Sequence, residues 1–235
     1  MSLPLFFLPD YDETIQHIEL NEETSRHIVQ VLRMKKDEEL QLTNGKGALL
    51  NAIITDDHKK RTKVVVQKVQ NFPLPTRKVS IAVSPLKNTN RFEWMLEKIT
   101  EIGAGEIIPL ICHRTEKQKL RMDRLHGIVT SALLQSHQVW LPQLYEPIPF
   151  QQLIENAKHQ QKFIAHCIED AKTSLADAVN SAVNSQIILI GPEGDFTSNE
   201  IGQALSHHFT PVTLGENRLR TETAAVVATT LLKIC

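Results

Sequence analysis

Between Gln186 and Ala228 the sequence carries one arrangement twice in succession: an apolar run, a glycine loop bearing a carboxylate, then a helical segment with a polar start. In the first copy Ile187-Ile188-Leu189-Ile190 is continuously apolar, as in a strand buried on both faces, and it breaks at Gly191-Pro192-Glu193-Gly194-Asp195. Thr197 stands three residues before Glu200, the spacing at which a hydroxyl and a carboxylate reciprocally cap a helix start, and a helix is expected through Leu205. In the second copy Val212-Thr213-Leu214 is a short strand, Gly215-Glu216-Asn217 a loop, and Thr221 the expected cap of a helix from Glu222 toward Ile234. Two parallel strands are expected to end side by side in these loops, where open α/β sheets hold their ligands.

Glycine loops before helix starts suit phosphate, because the backbone approaches closely and the helix N-terminus favours anions. The charges oppose that reading. Glu193, Asp195, Glu216 and Glu222 crowd the loops, and no Gly-Lys-Ser/Thr follows. Backbone amides and carbonyls among carboxylates suit a neutral or cationic ligand with hydrogen-bonding edges, a description that S-adenosylmethionine fits.

The 235 residues suffice for one large domain or two small ones, and a formal net charge of -1 gives no global sign of a nucleic-acid partner. Cys112, Cys167 and Cys235 are odd in number and far apart, without metal spacing, which points to a reducing cytoplasm and no metal. Neither a signal peptide nor an apolar run near twenty residues is found, so no membrane association is expected.

Residues 1–72 read as a small β-rich domain with one helix. Asn21 precedes a helical segment through Met34 in which Ile28, Val31 and Leu32 form an apolar face, and Leu40, Leu42, Ala52–Ile54 and Val64–Val66 supply strands around an Asn44-Gly45 turn. A compact barrel is the simplest closure. Arg33, Lys35 and Lys36 cluster after the helix, and Lys59, Lys60, Arg61 and Lys63 around a turn; each cluster is either a solvated face or an RNA contact. Asn71 to Thr76, with two prolines, marks a boundary, and residues 77–235 then alternate strands and helices as an α/β domain with a mainly parallel sheet. In that domain Val79–Val83 is a strand, Asn88 or Thr89 caps a helix carrying Phe92, Leu96, Ile99 and Ile102, and Gly103 stops it.

Leu189-Ile190-Gly191-Pro192-Glu193-Gly194 with Leu214-Gly215 and Leu219-Arg220-Thr221-Glu222-Thr223-Ala224 resembles the RsmE family of the SPOUT methyltransferases. His27 to Arg33, Glu97 to Gly103 and Gln135-Ser136 before Leu141-Pro142 agree in the same order, so the resemblance runs nearly the full length. It implies transfer of methyl from S-adenosylmethionine to N3 of a uridine in 16S ribosomal RNA of the small subunit. It also implies an N-terminal PUA-like barrel, a C-terminal SPOUT α/β domain with a trefoil knot, and a homodimer.

The resemblance places cofactor contacts at His166, at Leu189, Ile190, Gly191, Glu193 and Gly194, and at Leu214, Gly215, Leu219 and Thr223. RNA contacts fall on His27, Arg33, Lys35, Lys36, Lys98 and Arg218, with Lys98 divided between that role and a structural pair with Glu101. The chain departs from the family pattern at Asp195, where glycine is common, and at Leu5, Gln138 and Asn217, where arginine is common. Methylating an imide nitrogen requires removal of its proton and stabilisation of charge on the uracil oxygens. Arg220 is the candidate for the second task, and Glu222 for accepting the proton, for holding Arg220, or simply for complementing a helix dipole. An RNA-binding assembly factor without transfer activity and a phosphate-ligand enzyme are the alternatives from other classes.

Overall fold

The computed structural model describes residues 3–12, 14–117, 119–168 and 171–235. The chain divides into two compact units, one running to Leu74 and including Leu133–Leu141, the other comprising Pro75–Ala132 and Pro142–Cys235.

In the first unit, strands β1 (Leu5–Phe7), β2 (His17–Glu19), β3 (Glu39–Thr43), β4 (Ala48–Asp56) and β5 (Lys63–Asn71) form one mixed sheet in the order β1-β3-β4-β5-β2, a half-barrel. Burial alternates along β4, so Leu50, Ala52 and Ile54 join Leu40, Leu42 and Val64 in the core while their neighbours face outward. Asn21 accepts a hydrogen bond from the Thr24 amide at 2.8 Å and starts helix α1 (Glu22–Arg26). From His27 to Val31 the backbone widens to a π-turn, closed by Leu32 N–H donating to His27 O at 3.0 Å. That extra width corrects the expected apolar face: Ile28 is fully buried, but Val31 and Leu32 are 67% and 43% exposed, and Met34 enters the core instead. Gly47, at φ 97°, lies where a Cβ would come 2.4 Å from the Trp140 ring and 2.8 Å from Phe72 O. This close approach holds residues 139–141 on the β3–β4 turn, with Gly47 N–H donating to Val139 O and Leu141 N–H to Gly45 O.

In the second unit the sheet has eight strands: β6 (Lys78–Val83), β7 (Glu106–Ile111), β8 (Gln143–Leu144), β9 (Ile148–Pro149), β10 (Gln161–Ala165), β11 (Thr173–Ser174), β12 (Ser185–Ile190) and β13 (Thr210–Thr213). All its pairs are parallel, in the order β11-β13-β10-β12-β6-β7-β8 with β9 beside β7. The central strands are buried on both faces, as their apolar runs require. Helix α2 (Thr89–Ile102) is capped by Asn88, which accepts from Arg91 N–H at 3.2 Å, buries Phe92, Leu96 and Ile99, and stops at the left-handed Gly103, φ 95°.

Helix α3 (Met122–Gln135) follows β7, α4 (Phe150–Asn156) follows β9, and α5 (Leu175–Ala178) follows β11. Helix α6 (Ser198–Ser206) opens with the expected Thr197–Glu200 capping box. Helix α7 (Thr221–Ile234) packs on α2 and β6, bringing the C-terminal segment back from the β13 edge toward the middle of the sheet.

Two further expectations are corrected. Strands β12 and β13 are not neighbours, because β10 lies between them, paired to both. Thr221 is not a cap: it is the first helical residue, Arg220 holds the cap position without a side-chain bond, and the Thr221 hydroxyl donates to Gly191 O at 3.1 Å.

Candidate active site

Strands β10, β12 and β13 end together at Ala165, Ile190 and Thr213, and the three loops that follow enclose two adjoining chambers. One, of about 370 Å³, is lined by His166, Val212, Leu214, Gly215, Glu216 and their neighbours. The other, of about 250 Å³, is lined by Arg91, Gly191, Glu193, Asp195, Arg220 and Thr221 among others. Ala165, Cys167, Ile190, Arg218, Leu219 and Ala224 belong to both walls.

Local chemistry explains how the loops stay in place. Gly191 is glycine because the Phe196 ring is packed against it: a Cβ would meet ring carbons at 3.1 Å and the Phe196 nitrogen at 3.2 Å. Asp195, which in the sequence is only an added charge, ties two loops together. Its carboxylate accepts from Cys167 N–H at 2.8 Å through one oxygen and from Phe196 N–H at 2.8 Å through the other, in a left-handed backbone with φ 65°. Its position therefore has the backbone conformation that glycine adopts readily, with a carboxylate added that clamps the β10 loop to the β12 loop. Glu193 reaches a third loop, accepting from Lys87 N–H at 3.3 Å. Gly215 has φ 135°, and a Cβ there would meet no atom within 4 Å, so its backbone faces open space in the larger chamber.

Glu222, on the first turn of α7, is buried and makes a two-pronged ion pair with Arg91 on the first turn of α2: Nε to Oε1 at 2.7 Å and Nη2 to Oε2 at 2.5 Å. Burial pushes the Glu222 carboxyl up, and the Arg91 hydrogen bonds outweigh it, leaving the carboxyl below its ordinary range. The same bonds raise the Arg91 guanidinium. Arg220 acts on Glu222 only through its charge, so the residue Glu222 holds is Arg91. Arg91 belongs to none of the sequence motifs, although one signal points to it. A cation on the first turn of a helix opposes the helix dipole and implies a carboxylate partner nearby.

The structure brings His166, Ile190, Gly191, Glu193, Leu214, Gly215, Leu219, Arg218 and Arg220 to the chamber walls. Leu189 is fully buried in the core beneath them, and Gly194 lies outside both walls, its carbonyl accepting from Arg114 Nη1 at 2.6 Å. Thr223 sits on α7 away from the chamber walls. In the first unit His27, Arg33, Lys35 and Lys36 are all exposed, with the His27 ring edge-on to Phe6. Lys98 is tied to Glu97 at 2.7 Å and Glu101 at 2.9 Å. Among the described residues no group of His, Cys, Asp and Glu could hold a metal ion, and no helix is long and apolar enough to cross a membrane.

The donor set fits a ligand with hydrogen-bonding edges. Loop backbone and an open Gly215 line the walls, where the carboxylates of Glu193, Asp195 and Glu216 stand among the cations of Arg91, Lys172, Arg218 and Arg220.

The parallel sheet with loop-enclosed chambers at its strand ends and the small half-barrel coincide with an RNA methyltransferase domain and a PUA domain. The family model described as RNA methyltransferase domain matches residues 73–233, and that described as RNA methyltransferase PUA domain matches residues 20–67. Ribosomal RNA small subunit methyltransferase E of Synechocystis sp. is 31% identical over 209 residues, 86% of this chain and 68% of that protein. The protein of the same name from Rickettsia conorii is 30% identical over 214 residues, 90% of this chain and 87% of that protein. The chain belongs to the ribosomal RNA small subunit methyltransferase E family.

Among solved structures, a probable rRNA methyltransferase from Porphyromonas gingivalis is 36% identical with a TM-score of 0.90, covering 99% of both chains. Ribosomal RNA small subunit methyltransferase E from Neisseria gonorrhoeae, solved bound to S-adenosyl methionine, is 27% identical with a TM-score of 0.87, covering 97% of this chain and 95% of that one.

Proposed function

We propose that this chain methylates N3 of a uridine in 16S rRNA of the small ribosomal subunit, with S-adenosylmethionine as methyl donor. The observation that carries this reading is the pair of chambers sharing one wall at the ends of β10, β12 and β13. Two reactants can meet there across Leu219 and Ala224, and holding them in fixed geometry is the main requirement of a displacement at a methyl group. When bound, the cofactor supplies an electrophilic methyl group on a cationic sulfonium.

The larger chamber, with His166, Leu214 and Gly215, is assigned to the cofactor, held by loop backbone, with Glu216 the carboxylate on its wall among the described residues. The smaller chamber is assigned to the uracil. There Arg220 and Arg91 supply positive charge for the oxygens of the deprotonated base. Glu222 positions Arg91, since both of its oxygens are engaged. Glu193, exposed on the chamber wall, is the carboxylate assigned to accept the N3 proton.

Residues 1–72 are assigned to gripping RNA through His27, Arg33, Lys35 and Lys36, and residues 77–235 to the cofactor and chemistry, with Arg218 at the chamber mouth. Lys98 is assigned a structural part because its ammonium already has two carboxylate partners. A homodimer acting in the cytoplasm completes the reading, and the cysteines fit a reducing compartment: Cys112 is buried, and Cys167 and Cys235 are free and exposed.

The test is incubation with labelled cofactor and small subunits lacking the modification, with sedimentation reporting the dimer. Label on uridine N3 supports the reading. Cofactor binding without methylated product would favour a non-catalytic assembly factor.

A further inference from the structure

Beside the α2 N-terminus lies a separate cavity of about 300 Å³, lined by Thr89, Asn90, Glu93, Lys117, Lys119, Arg121 and Arg124 with an apolar floor. We propose that this basic pocket holds the phosphodiester backbone of the substrate RNA next to the target uridine, an inference that rests on the RNA-methylation reading above.

Four cations, Lys117, Lys119, Arg121 and Arg124, line it with a single carboxylate, Glu93, in a chain whose formal net charge is -1. Glu93 is committed to Arg124, with Nη2 to Oε2 at 2.6 Å. The Lys117 ammonium donates to the neutral Thr89 hydroxyl. Lys119 and Arg121 are exposed and carry no ion pair among the described residues. Arg124, then Arg121 and Lys117, hold the Glu93 carboxyl below its ordinary range, which shows how tightly the positive charge is gathered. An uncompensated cationic cavity takes an anion.

The position selects which anion. Asn90 lines this pocket and Arg91, the next residue, lines the uracil chamber, so the two cavities flank one helical turn. A polymer that presents its base to Arg91 and Arg220 passes its backbone along that turn. The pocket then sets the register of the strand while carrying no base specificity of its own. No sequence motif marks it, because Lys117 to Arg124 reads simply as a charged loop and helix start.

The test compares the whole protein with Lys119→Gln/Arg121→Gln and with the charge-conserving Lys119→Arg/Arg121→Lys. Affinity for a labelled fragment of small-subunit RNA is measured across salt, with cofactor affinity by calorimetry. The neutral double variant is expected to bind RNA about tenfold more weakly and to lower the salt slope of log K by roughly 2, about 1 for each phosphate no longer neutralised. Cofactor affinity and thermal unfolding stay at wild-type values, and the charge-conserving variant restores RNA binding.

RNA affinity and salt slope equal to wild type would overturn the pocket while leaving the methylation reading intact. Failure of the wild type itself to bind RNA would overturn that reading, and the pocket with it. Inorganic phosphate that displaces RNA more strongly than chloride at matched ionic strength would overturn the polymer as ligand in favour of a small-anion site. A change in sedimentation of the neutral double variant would overturn it by assigning the pocket to an interface between copies of the chain.

Discussion

The Arg91–Glu222 pair decides how the candidate chemistry is divided. The sequence draws attention to Glu222 because it lies two residues from Arg220, yet its carboxylate is spent on a helix more than a hundred positions away. Such a pairing depends on α2 and α7 packing side by side; the cation on the first turn of α2 implies a carboxylate partner, but no local pattern says which. Glu222→Gln is expected to cost about 1–3 kcal/mol, because Arg91 is left partly buried without a charged acceptor. The change should also lower kcat more than it raises the KM for cofactor. Thermal unfolding and steady-state kinetics together check both outcomes, and retained stability with retained kcat would remove Glu222 from the account.

Asp195 illustrates the opposite situation, a departure from the family pattern that structure explains. Asp195→Gly should relax the left-handed backbone yet weaken cofactor binding several-fold, since the Cys167 amide is left without its acceptor. Calorimetric titration with S-adenosylmethionine reads that change.

Among the elements, the apolar runs, the stops and the caps other than that of α7 are legible in the sequence and the neighbour relations are not. The capping box at Thr197–Glu200, the Asn88 cap and the Gly103 stop each depend on residues within a few positions, and all three stand as the sequence implies. The placement of β10 between β12 and β13 depends on pairing across long loops, which adjacency along the chain misstates. The π-turn after α1 is hidden for a related reason, since Ile28, Val31 and Leu32 suit a regular helical face and only the packing of Met34 reveals the altered register.

One cluster has consequences for acid stability. At the starts of β6 and β7, the buried Glu106 accepts from Ser80 Oγ at 2.6 Å, Tyr145 OH at 2.7 Å and Lys78 Nζ at 3.1 Å, with His159 Nε2 at 3.5 Å. Burial pushes its carboxyl up, but these four partners together hold it well below the usual range. The Tyr145 hydroxyl is pushed up to about 12 by burial and by Glu106. A carboxyl lower in the folded than in the unfolded state stabilises fully above about pH 4.3, and that stabilisation is lost as pH falls toward the folded value. Unfolding free energy measured from pH 6 to pH 3 should therefore fall more steeply in the wild type than in Glu106→Gln. Equal slopes would show that Glu106 is not the acid-sensitive group.

Taken as a whole molecule, the chain carries a half-barrel with exposed cations and an α/β unit whose loops form two chambers. Family and fold can be read from the paired motifs of the α/β unit, Leu189 to Gly194 and Leu219 to Ala224, together with His27 to Arg33 in the half-barrel unit. The resemblance already points to His166 in a third loop; what the motifs do not reveal is that β10, which leads into that loop, lies between β12 and β13.

The central claim is methyl transfer to a uridine N3 in small-subunit RNA, and it is tested most directly by product mapping. Small subunits lacking the modification are incubated with the protein and isotopically labelled S-adenosylmethionine, then digested and analysed by mass spectrometry. The account predicts label on N3 of one uridine, and its loss on replacing Arg220 with Ala under conditions where the cofactor still binds. Bound cofactor with no label at uridine N3 would contradict it.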